Sequence, residues 1–143
     1  ILASVGVVLG LLLVTFEIRQ ANDAIAAEAR GEIWNEAQVI AMSTYGPEIS
    51  GIFVKSIKNP DQLSTEEKFK LDNYLYAVAA RINKQSFLHF EYGWADEPSE
   101  TVRGEVEYHF RHPYARQWYE NNKHWMLTDV VRLMDAELDG MQD

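Results

Sequence analysis

The chain has no cysteine, which excludes disulfides, thiolate catalysis and cysteine-ligated zinc or iron–sulfur centres. The absence of thiols is compatible with either side of a membrane and assigns no compartment. Basic residues are scarce too: 13 lysines and arginines face 22 acidic residues, for a formal charge of −9. That balance repels phosphate backbones, and no basic stripe overrides it locally, so no nucleic acid partner is expected. Only four prolines interrupt 143 residues, and alternating strand patterns, repeats and low-complexity tracts are missing. The expected fold class is all-α. With 47% hydrophobic residues, the composition is that of a folded chain with one domain and an appendage.

The appendage is the N-terminus. Ile1 to Phe16 reads ILASVGVVLGLLLVTF, uncharged, with Ser4 and Thr15 its only polar side chains. Eighteen helical residues span about 27 Å, close to the roughly 30 Å of a bilayer's hydrocarbon core. A single transmembrane helix is expected over residues 1–18. Because the chain starts without methionine, residues preceding Ile1 are expected to complete it. Ala24-Ile25-Ala26 supplies an A-x-A pattern, which leaves a cleaved secretory signal as the competing reading. Gly6 and Gly10 form a small-xxx-small pair that allows close helix approach. The expected setting is a bacterial inner membrane, crossed once, with the soluble domain on the cytoplasmic side.

The helix is expected to continue past the lipid as an amphipathic stem over residues 19–45. Ile18, Ala21, Ile25, Ala29, Ile33, Ala37 and Ile40 recur at spacings of three and four, making one apolar stripe. A helix from Ile1 to about Thr44 is roughly 66 Å long, and Gly46-Pro47 ends it. Residues 46–143 form an acidic, aromatic-rich domain of about five further helices. A short amphipathic helix over 48–58 leads to the turn Asn59-Pro60-Asp61, and Ser64 with Glu67 makes a capping box. The helix it opens runs to about Gly93. Leu71, Leu75, Val78 and Ile82 form one apolar row, and Tyr76, Ala80, Phe87, Phe90 and Trp94 a second, which predicts neighbours on both sides. Helices over about 100–111 and 113–122 follow, and Thr128 is expected to cap the last.

Two of these segments carry a resemblance. Ile18-Arg19-Gln20 with Asn22 ends the hydrophobic stretch, and Asn59-Pro60-Asp61-Gln62-Leu63-Ser64-Thr65-Glu66-Glu67 opens the central helix. Together with Ala115-Arg116-Gln117-Trp118-Tyr119, they make the chain resemble a widespread family of small uncharacterised bacterial membrane proteins. That family has one N-terminal transmembrane helix ending in an IRQ-type motif and a helical soluble domain. The resemblance covers most of the chain and implies architecture only, because none of the motifs is catalytic.

Candidate chemistry is thin. Glu105 and His109 are four apart on one helix face and His112 lies three further on, a spacing that can ligate a divalent metal. Titratable residues so placed more often form a solvated face, and both histidines are expected there. No Gly-rich phosphate loop, G-x-S-x-G or H-E-x-x-H is present, so no catalytic residue and no cofactor is assigned. Most aromatic residues lie between Tyr74 and Trp125, either as core or as a contact surface rich in Trp and Tyr.

The expected function is that of a non-enzymatic, membrane-anchored helical module acting in assembly. It would work as a homo-oligomer or as an accessory subunit of a larger membrane complex. Its partners would be the lipid bilayer and either itself or another membrane protein. The expected contact residues are Ile18, Ile25, Ile33, Phe87, Phe90, Trp94 and Trp118. The alternative is a metal- or small-molecule-binding enzyme or sensor domain at the membrane, built on Glu105, His109 and His112.

Overall fold

The structure is a computed structural model that describes the backbone of residues 2–141 and the side chains of 6–42, 46 and 48–141. Six α-helices follow in order: α1 (Leu2–Tyr45), α2 (Pro47–Lys58), α3 (Thr65–Tyr92), α4 (Pro98–Glu105), α5 (Pro113–Asn122) and α6 (Thr128–Asp139). A π-helical turn, Val106–Phe110, continues α4. There is no strand among the described residues.

Local chemistry sets most helix ends. Glu67 donates its amide to Ser64 Oγ at 3.1 Å, while Glu67 Oε2 accepts from the Ser64 amide at 2.7 Å, the reciprocal bonds of a capping box. At the other end of α3, Gly93 turns left-handed at φ 66°, and the amides of Gly93 and Trp94 reach back to His89 and Leu88. Prolines 47, 98 and 113 each start a helix where no amide donor is missed. The start of α6 departs from expectation. Thr128 is its first helical residue and Leu127 the cap, whose amide donates to Asn83 of α3 at 2.7 Å. A partner distant in sequence replaces the local hydroxyl.

The core centres on one face of α3. Leu71, Leu75, Val78 and Ile82 are buried against Val102, Val106, Phe110, Tyr119, Val130 and Met134. The second apolar row is not core: Tyr76, Phe87 and Phe90 are exposed. Residues 95–141 wrap the first row, while α1 covers a third face, so the second row is left on the surface.

α1 packs on α3 and α2 through its C-terminal half only. Ala26 and Ile33 are buried there, and Ile40 packs against the core cluster. Lys84 of α3 pins the contact by ion pairs to Glu32 at 3.2 Å and Glu36 at 2.7 Å. From Gly6 to Ile25 every side chain of α1 is exposed. Those residues project about 30 Å beyond the bundle.

Among the described residues, no helix is long and apolar enough to cross a membrane. This corrects the expected transmembrane span over 1–18, and with it the single-pass inner-membrane localisation. The uncharged run ends at Phe16. Glu17, Arg19 and Asp23 then follow within two turns. Ile1 and the side chains of residues 2–5, the rest of the expected span, lie outside the described residues.

Candidate functional site

Where α1 lies on α3 and α4, four polar side chains meet in a chain. Arg81 of α3 donates from Nη2 to Glu105 Oε1, at the end of α4. Glu105 Oε2 contacts His109 Nε2 at 3.1 Å, and His109 Nδ1 lies 3.0 Å from the Tyr74 hydroxyl. Val106, His109 and Phe110 face inward together, at the three- and four-residue spacing of one helical face continued from Val102, with Glu107 and Tyr108 outside.

The hydrogen bonds fix the roles. Glu105 can only accept when ionised, so His109 Nε2 carries a proton and donates to it. Tyr74 then faces Nδ1, and both ring nitrogens are engaged within the protein. His109 is therefore a link in the chain, bonded through both ring nitrogens. Burial pushes the Glu105 carboxyl up, but the His109 hydrogen bond and the Arg81 charge outweigh it and hold it below the ordinary carboxylate range.

The sequence reading placed His109 on a solvated face, and the structure corrects this. His109 is buried in an aromatic cage, with ring centroids of Tyr108 at 4.6 Å, Tyr74 at 5.4 Å and Phe53 at 6.2 Å. The spacing carried a signal for it: Val102, Val106, His109 and Phe110 fall at i, i+4, i+7 and i+8, one helical face. His112 does not join Glu105 and His109. It sits half-buried against Phe53 at 6.0 Å, where burial, then the Arg111 charge, pushes its imidazolium pKa down. No group of three His, Asp or Glu is placed to hold a metal among the described residues.

Two clefts open onto this chain. One, of about 190 Å³, lies between Arg30, Ile33 and Trp34 of α1 and Arg81 and Gln85 of α3. The other, of about 120 Å³, reaches Tyr74 and His109. Ala37, Arg81 and Glu105 border both. Arg81 and Tyr74 escaped the sequence reading although a signal existed. Residues 74, 78, 81 and 85 share one helical face, so Arg81 is a charge set on a buried row.

The residues expected to contact partners separate into two sets. Ile18, Ile25, Phe87 and Phe90 are exposed, and Trp94 is half-buried, stacked on Tyr92 at 4.5 Å. Ile33 and Trp118 are buried and unavailable to a partner. Ile33 faces α3 because α1 folds onto its own bundle there, and Trp118 packs beside Phe110 at 6.2 Å. The larger apolar surface lies further towards the N-terminus. Val7, Leu9, Leu11, Leu12, Leu13 and Phe16 are each at least 55% exposed, and they point in every direction around α1. Comparison with protein-family models, curated proteins and solved structures gives no match, so geometry and chemistry alone bear on function.

Proposed function

We propose that the chain is a non-enzymatic assembly module that associates with copies of itself through the N-terminal part of α1. One observation carries this reading: residues 7–16 are uncharged and almost wholly apolar around the helix, and their side chains are exposed, packed against nothing in their own bundle. A helix that is hydrophobic all round belongs inside a larger assembly, and an exposed surface of this kind marks an interaction site. A single partner helix would cover only one stripe, so the geometry favours several helices around a common axis. Copies of the same segment supply that surface at matching heights. Gly6 and Gly10 fit the scheme: a Cβ built on either meets nothing within 4 Å, leaving that face open for close backbone approach.

Sedimentation equilibrium of the full chain in detergent-free buffer tests the proposal. A discrete multimer is expected. Leu9→Glu combined with Leu13→Glu places two charges on one face and should weaken association at least tenfold, or about 1.4 kcal/mol. A chain monomeric at all accessible concentrations, or a multimer indifferent to both charges, overturns the reading. So does recovery of the chain as monomers bound to lipid vesicles.

A further inference from the structure

We propose that the seam between α1, α3 and α4 is a binding site for a small organic carboxylate, held by Arg81. The inference is independent of self-association. Arg81 is 5% exposed, and a guanidinium carries five N–H donors. Among the described residues, Glu105 is the only acceptor it meets, through Nη2. Arg81 lines the two clefts described above and a third, shallower hollow beside Lys84. No Arg81 nitrogen is a buried atom without a partner, so its remaining donors reach solvent through the clefts, where a bound acceptor can replace water. A carboxylate does so with two parallel hydrogen bonds that match the planar fork.

The chemistry of the walls narrows the ligand. Arg30 and Arg81 face Asp96 and Glu105 around the larger cleft, so its lining is neutral overall and a monoanion adds one net negative charge where a dianion such as phosphate adds two. Arg30 is held at the mouth by its hydrogen bond to the Trp94 carbonyl at 3.3 Å. Ile33, Ala37 and Ala95 supply an apolar floor, and the Trp34 indole, 67% exposed, stands at the rim where it can cover a flat or aliphatic body. At about 190 Å³ the cleft is below the roughly 300–1,000 Å³ of drug-sized pockets, so the acid is small. Glu105, steadied by His109 and Tyr74, is a positioning residue that keeps the fork aimed into the cleft.

The test is thermal unfolding and tryptophan fluorescence of the full chain titrated with acetate, lactate and benzoate, with chloride at equal ionic strength as control. At least one acid is expected to raise the melting temperature saturably at or below about 10 mM, with no such effect from chloride. Arg81→Gln strands Glu105, so the double variant Arg81→Gln with Glu105→Gln is used, and its affinity should fall at least tenfold. Trp34→Ala removes an exposed side chain and leaves the fold intact. It should weaken binding several-fold, and it decides the matter if the double variant does not fold. No saturable response to any of the three acids overturns the proposal. So does an equal response to chloride, and so does affinity unchanged in the double variant or, should that not fold, in Trp34→Ala.

Discussion

Tyr119 illustrates what single residues contribute here. Its ring has no exposed surface and packs at 6.3 Å from Phe110, while its hydroxyl donates to Asp135 at 2.9 Å. Tyr114 makes the equivalent bond to Asp72 at 2.8 Å. Burial pushes both phenols well above the ordinary value of 10.0, and the neighbouring carboxylates add to the shift. A folded-state pKa raised in this way means that the unfolded chain loses its phenolic protons first. The stability these groups contribute is therefore complete below about pH 10 and declines as pH rises beyond it. In urea unfolding between pH 8 and 11, the wild type should lose stability more steeply than a Tyr114→Phe, Tyr119→Phe double variant. Near neutral pH the double variant should itself be less stable, by about 1 kcal/mol per lost hydrogen bond. Parallel alkaline slopes would show that the phenols ionise as freely folded as unfolded. Both tyrosines were visible in the sequence as aromatics, but their acidic partners, 42 and 16 residues away, were not.

At the scale of elements, α1 is one continuous helix with two environments. Its periodic stripe is legible in the sequence from Ile18 to Ile40, yet the sequence alone does not say where the domain stops covering it. The structure puts that limit at Ala26, the first buried residue of α1 among those described. Two substitutions on one stripe should thus part company. Ile33→Glu places a charge against α3 and should destabilise the bundle by about 2–4 kcal/mol, lowering its melting temperature. Ile25→Glu, beyond the bundle, should leave melting within about 0.5 kcal/mol and weaken only association. Equal melting of the two variants would mean that α1 is not docked through Ile33. The ends of α3 were readable because a capping box and a left-handed glycine are local chemistry. The start of α6 was not, since its cap comes from Asn83.

For the whole molecule, the first buried residue among those described is Ala26, and the core holds none of the described apolar residues from Gly6 to Ile18. A chain starting at Arg19 should accordingly keep the melting temperature of the full protein, losing helical circular dichroism only in proportion to the residues removed. It should also lose self-association. A truncated chain that melts earlier or aggregates would show that residues 1–18 support the bundle. The acidic surface, with a net charge of −9, further favours joining copies through the uncharged segment, because bundle faces of like charge repel.

The sequence by itself determined the all-helical class, the helix boundaries set by proline, glycine and capping residues, and the core row of α3. Each is written in contiguous residues or in a period of 3.6. Only the tertiary structure decided which face of α3 is solvent, how far α1 is covered, and that Tyr74, Arg81, Glu105 and His109 form one chain beside a cleft. Those outcomes depend on contacts between helices distant in sequence, which no local period of the residues records.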